Sequence, residues 1–328
     1  MTERVLVTID GGVADVRLNR PEKLNALDTA MFRALVEAGE HLKAEPAVRA
    51  VVLSGEGRGF CAGLDFTGFQ AMKDSDPDGR ENVGELGETD GRVTHLGQQA
   101  AWVWTQLEVP VIAAIHGPCL GGGMQIALGA DIRIVAPDAS LSVLEIRWGL
   151  TPDMTASLIL PGLMGLDVAK ELMWTGRKLT GNEAVHLGLA TSSADDPRAA
   201  ALALGAELAS KSPHAIRAGK RLLTGLAGRS TAEQLALERR EIAALIGGPN
   251  PVSYTHLEHL APPYGAFISG DWGAVSSMSP ELFVSVRGRT ATTSPIKGTA
   301  RRGLDARSDE EAREALSTSE KDLSLIHI

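Results

Sequence analysis

Three consecutive glycines, Gly121–Gly123, stand between a β-branched run at Val111–Ile115 and an apolar, helix-forming stretch that begins at Met124. A strand that turns through glycine into a helix leaves the first N–H groups of that helix unpaired, at the positive end of its dipole. Such a turn can hold a developing negative charge. Two carboxylates follow in the same stretch: Glu145, set between Leu144 and Ile146, and Asp153. An acid in apolar company beside an anion-holding turn points to acid/base work on a carbonyl compound. Asp153 has a plainer alternative, as the N-cap of a helix over Met154–Leu160.

The rest of the chain surrounds this stretch with alternating strands and helices. Arg4–Ile9 and Val13–Leu18 flank Asp10–Gly12, which predicts a hairpin with its turn. Asp28 is the expected N-cap of a helix whose apolar positions, Met31, Phe32, Leu35 and Leu42, keep a helical period; Ala50–Leu53 then reads as a buried strand. Ser54–Asp65 is a glycine-rich loop leaving that strand at its C-terminal end, where open α/β sheets take ligands. Phe66–Asp90 is polar, has no period, and is expected to be a mobile loop over the site. A helix is expected from about Val93; its Trp102 and Trp104 cannot share one face, so at least one belongs to the core or a subunit contact. Val111–Ile115 and Ile132–Val135 predict further strands. Thr180–Glu183 and Ser230–Glu233 have the form of capping boxes, and the alanine- and leucine-rich Pro197–Ile246 predicts helices suited to subunit packing.

At 328 residues the chain can bury a large core. Its two cysteines, Cys61 and Cys119, lack the spacing of a metal site and read as buried free thiols, which fits a reducing cytoplasm. A formal net charge of -9 offers no overall footprint for nucleic acid. No run reaches the ~18 apolar residues of a membrane helix, and no leader segment opens the chain, so a soluble cytoplasmic protein is expected. His116, before the glycine turn, is expected to be structural.

Four motifs in order, Asn19–Pro21 with Asn25–Leu27, Phe60–Asp65, Gly121–Gly123, and Thr175–Gly176 with Glu183–Ala184 and Gly188–Leu189, strongly resemble the crotonase superfamily, the enoyl-CoA hydratases and isomerases. The resemblance covers about 240 residues. It implies an α/β spiral of ββα units over 1–195 and a helical trimerisation region over 196–248. The implied substrate is an acyl-CoA thioester, with coenzyme A part of that substrate and no separate cofactor or metal, and the implied assembly is a homotrimer or dimer of trimers. It implies too that the backbone N–H groups of Leu64 and Gly122 hold the thioester oxygen. The matching positions put Lys23, Ala26, Ala62, Asp65 and Gly121 at the substrate, Lys23 toward the coenzyme A phosphates. Hydratases of the family carry one glutamate two residues after the glycine triplet and another twenty further on; here these are Gln125 and Glu145. An amide cannot lend a proton as a carboxylic acid does, so hydration is expected to be weak. Glu145 alone can shift a double bond, and its eight-residue spacing to Asp153 resembles the dienoyl-CoA isomerase branch. Three readings stay open: an enoyl- or dienoyl-CoA isomerase using Glu145 with Asp153, a hydratase weakened by Gln125, and a thioester binder without useful turnover.

At 247–251 the alanine-rich helical texture stops. Beyond it, Ser279–Phe283, Pro295–Thr299 and Ser319–Asp322 resemble the chorismate-binding enzymes, aminodeoxychorismate synthase component I in particular, with Lys297 at the position of that family's nucleophile. The acidic magnesium-binding segments of that family do not follow, so no chorismate chemistry is expected. Val252–Leu257 and Leu323–Ile328 look like translated sequencing-adaptor read-through at the two seams of this piece. Residues 249–328 are therefore expected to be a chimeric, poorly structured tail. Within it, Glu281–Val286 reads as a strand and Thr290–Gly298 as a second strand and turn, and the last crotonase helix is expected to be missing.

Overall fold

The structure, a computed structural model, describes residues 3–65, 89 and 91–246, together with the backbone of four strands between 264 and 294. The expected loop 66–90, apart from Thr89, and the segments around Lys297 and the two adaptor-like strings lie outside the described residues.

The first compact unit, Met1–Glu241, is built on a six-stranded sheet. The hairpin of β1 (Val5–Asp10) and β2 (Val13–Leu18) is antiparallel, closed by Gly11 and Gly12 with φ of 54° and 82°. β3 (Ala50–Gly55), β4 (Val111–Ile115), β6 (Ile132–Val135) and β9 (Ser192–Ser193) continue it in parallel, in the order β1-β2-β3-β4-β6-β9. A smaller sheet pairs β5 (Pro118–Leu120) with β7 (Ser140–Ser142) and β7 with β8 (Leu179–Thr180). Successive turns of the chain thus place β4 then β5, and β6 then β7, in the larger and smaller sheets: the α/β ββα spiral.

The centre of the large sheet, β3 and β4, is buried on both faces, which explains why Ala50–Leu53 and Val111–Ile115 read as unbroken apolar runs. Val51, Leu53, Val111, Ala113 and Ile115 enter the main core with α1 (Thr29–Ala44) and α2 (Leu96–Thr105). Val13, Val52, Ile112 and Ala114 face the other way, onto Ala201 of α7 (Pro197–Ala209). The helical region after 196 therefore begins as the cover of the sheet's second face. Asp28 caps α1 through Met31 N at 2.8 Å, as expected. α2 starts three residues later than Val93, with His95 and Gln98 forming a reciprocal cap; Trp104 is fully buried and Trp102 partly so. α3 (Gly122–Leu128), α4 (Ala156–Leu163), α5 (Leu166–Thr175), α6 (Gly181–His186), α8 (Pro213–Leu223) and α9 (Thr231–Ile246) complete the helices described. Both capping boxes form, Thr180 with Glu183 and Ser230 with Glu233.

The second unit, Ile242–Ile328, is described through two antiparallel hairpins. β10 (Tyr264–Gly270) pairs with β11 (Gly273–Ser279), and β12 (Leu282–Arg287) with β13 (Thr290–Ser294). The second hairpin is the predicted one; the first, rich in glycine and serine, carries no strong strand signal. Isolated two-stranded hairpins are marginal in water.

Candidate active site

Three segments run side by side at the C-terminal end of β3. Cys61 N donates to Pro118 O and Leu120 N to Cys61 O, each at 3.0 Å, so the loop 61–64 follows β5 like an extra strand. On its other side Leu27 N donates to Gly63 O at 2.8 Å and Asp65 N to Leu27 O at 2.9 Å. That ladder leaves Leu64 N–H facing away from Leu27, with no hydrogen bond among the described residues. Gly122 is the first residue of α3, and its N–H is likewise without an acceptor. A Cβ on Gly63 would lie 3.7 Å from Gly122 N, which shows how closely the two segments approach. Gly121, at φ 52° and ψ -124°, makes a turn that L side chains hardly enter. At Gly122 a Cβ would meet Leu27 Cδ1 at 2.9 Å and Met154 Sδ at 3.3 Å, so the helix start closes on its neighbours only without a side chain.

Glu145 opens a short 3-10 turn, Glu145–Trp148, and brings its carboxylate beside Gly121. Gln125, fully buried on α3, donates from Nε2 to Glu145 Oε1 at 2.6 Å. Its own Oε1 accepts from Met154 N at 2.8 Å and Ala156 N at 3.3 Å. Glu145 Oε2 is buried with no hydrogen-bond partner among the described residues. Burial pushes the Glu145 pKa above its ordinary value and the negative charge of Asp153 adds to the rise; the N–H groups of Glu145 and Leu144 and the Gln125 hydrogen bond oppose it.

Asp153 is exposed and does not cap a helix: α4 begins at Ala156, after Thr155 in a left-handed conformation, φ 85°. The capping alternative for Asp153 is thereby corrected, because the backbone at Thr155 breaks the helix that would have started at Met154.

Asp65 is held by Arg20 Nη1 at 2.7 Å, in a chain of ion pairs that continues to Asp28 and Arg4. Arg20 Nη1 also donates to Ala26 O, and Ala62 N donates to Leu24 O at 2.9 Å. Lys23 is exposed on the 3-10 turn Pro21–Lys23. His116 lies within 3.0 Å of Gly57 O, a structural placement. Cys61 and Cys119 are buried free thiols; burial raises both, Cys61 to about 12.

Three residues outside the sequence-derived set shape the site. Arg20 organises Asp65 and Ala26. Asn25, left-handed at φ 57°, ties the loop together by accepting from Arg20 N and donating to the carbonyls of Glu56, Gly59 and Phe60. Asparagine's tolerance of that backbone was a readable signal. Thr155 carried none, since a β-branched residue argues against a left-handed turn. Among the described residues no group of His, Cys, Asp and Glu could hold a metal ion, and no helix is long and apolar enough to cross a membrane. Two N–H groups beside one partly buried carboxylate can bind a carbonyl oxygen and exchange a proton with the carbon next to it.

Residues 8–248 match the family described as enoyl-CoA hydratase/isomerase, and residues 240–324 match that described as chorismate binding enzyme. The chain is 36% identical over 227 residues to the mitochondrial Delta(3,5)-Delta(2,4)-dienoyl-CoA isomerase of Homo sapiens, covering 68% of this chain and 69% of that one. It is 35% identical over 216 residues to enoyl-CoA hydratase domain-containing protein 2 of Mus musculus, with 64% and 69% covered. Against the mouse dienoyl-CoA isomerase it spans 64% of that protein's length. The crystal structure of an enoyl-CoA hydratase from Bacillus anthracis superposes with a TM-score of 0.70 at 27% identity, covering 79% of this chain and 96% of that one.

Proposed function

The chain belongs to the enoyl-CoA hydratase/isomerase family, enzymes of acyl-CoA thioesters, and on that premise we propose that it moves a double bond within an enoyl- or dienoyl-CoA. Glu145 Oε2 takes a proton from a carbon conjugated with the thioester. The resulting enolate oxygen lies between the N–H groups of Leu64 and Gly122, each donor contributing on the order of 3 kcal/mol to the transition state. The proton then returns at another carbon, with Asp153 serving the far end of a dienoyl chain. Coenzyme A is carried as part of the substrate; Lys23 meets its phosphates, and Ala26, Ala62, Asp65 and Gly121 border the acyl group. The acting form is a homotrimer or a dimer of trimers.

The observation that carries this reading is the Gln125–Glu145 hydrogen bond: where adding water calls for two carboxyl groups, this site has one carboxylate and one amide. Full-length protein assayed with 3-enoyl-CoA, 3,5-dienoyl-CoA and 2-enoyl-CoA tests it. Isomerisation is expected to exceed hydration, and Glu145→Gln to lower kcat by about 10²–10⁴-fold, the usual contribution of a general base. Unchanged turnover in that variant removes Glu145 from the mechanism.

A further inference from the structure

Gln125 can face Glu145 in two ways that differ by a half-turn of its amide. Presenting Nε2 gives the carboxylate a hydrogen bond; presenting Oε1 sets oxygen against oxygen. The choice is made behind Gln125, by Met154 N–H and Ala156 N–H, which both point at one atom and admit only an acceptor there. These donors belong to residues on either side of Thr155, whose φ of 85° and ψ of -5° turn them toward a common point, the arrangement by which backbone amides cradle an anion or an oxygen. Thr155 is the one non-glycine, β-branched residue with positive φ among the described residues, and the other two are Leu24 and Asn25. Its hydroxyl is buried and makes no hydrogen bond among them, so the side chain does not explain the strained backbone.

We propose that Thr155 is a positioning residue for the reaction: its left-handed turn aims two N–H groups at Gln125 Oε1, which fixes Nε2 on Glu145 Oε1 and leaves Oε2 as the oxygen that exchanges the proton. The proposal rests on Glu145 as base. Asp153, on the same loop, is the charged group that acts on that base; Arg147 belongs to the same 3-10 turn, and α5, which packs against that turn, carries Asp167, Lys170 and Glu171, the last of them paired with Arg177. None of them replaces the Gln125 contact, because Glu145 Oε1 takes its hydrogen bond from Nε2.

The test compares full-length Thr155→Pro, which cannot adopt a positive φ, with Thr155→Gly and Thr155→Asn, which can. Each is assayed on a 3,5-dienoyl-CoA across pH, beside Gln125→Leu, Glu145→Gln and the Thr155→Pro/Gln125→Leu double variant. In the proline variant kcat falls at least about ten-fold with KM within about two-fold, as expected for a misplaced base. The acidic limb of its pH profile moves to higher pH, because the carboxylate has lost a hydrogen bond. The double variant falls no further than Gln125→Leu alone. Glycine and asparagine keep kcat and the limb in place. A folded proline variant with unmoved kcat and limb, or losses that add to those of Gln125→Leu, overturns the proposal. If the proline variant does not fold, a ten-fold loss in either left-handed-tolerant variant overturns it. Loss in Glu145→Gln with Thr155→Pro unaffected discards this role of Thr155 alone; full activity in Glu145→Gln discards the base assignment and this proposal with it.

Discussion

Glu145 sits where its charged form is disfavoured, and the consequence for stability has a definite sign. A carboxylic acid whose folded pKa is raised stabilises the fold below its ordinary pKa and loses that contribution as pH climbs through the raised value. Replacing it with glutamine removes the penalty. Glu145→Gln is therefore expected to raise the thermal midpoint near neutral pH by about 1–3 °C, with the gain vanishing toward about pH 4, the ordinary glutamate value. Calorimetry of both proteins across that range measures it, and a gain that grows on acidification contradicts the burial argument. Gln125→Glu moves in the other direction. Two carboxylate oxygens 2.6 Å apart cannot both ionise, so the pair retains a proton to higher pH. The acidic limb of the isomerase profile should shift upward, while hydration of 2-enoyl-CoA rises relative to isomerisation; Met154 and Ala156 still donate to the new side chain.

At the scale of elements, the start of α3 depends on the Gly121 backbone. Gly121→Ala places a methyl in ordinary contact, 3.6 Å from Glu145 Oε1, so its cost is conformational rather than steric. A residue forced into that φ/ψ region costs about 1–3 kcal/mol. Urea titration should show that loss, with a larger proportional fall in kcat because Gly122 N–H turns with it. Elements were legible in the sequence to the degree that burial imposed a pattern. β4 stands where predicted, because a strand covered on both faces writes itself as an unbroken apolar run, and β6 stands where predicted although Arg133 interrupts its apolar residues. β5, β7 and β8 span two or three residues each, too few to show any period, and their pairing is a tertiary fact. The start of α4 was hidden by Thr155, whose side chain gives no sign of its backbone. The glycine turn, Glu145 and Gln125 were all visible in the chain, but the hydrogen bond that joins the last two crosses twenty residues and had to await the fold.

The whole chain divides into two compact units, and their origins can be tested apart from their structure. The chimeric reading of residues 249–328 expects that amplification of native DNA across codons 245–262 yields no continuous product; one unbroken genomic product would sink it. Within the first unit, the seam that carries Leu64 and Gly122 also carries every thiol of the protein. Cys61 and Cys119 face each other as bridge partners across it, both wholly buried and both held protonated at neutral pH. A thiol-specific dye added to native enzyme thus finds nothing to label until that seam parts. The rate at which colour appears is a clock for the opening of the seam between Leu64 and Gly122, and, if the proposed site is the right one, bound acyl-CoA slows it.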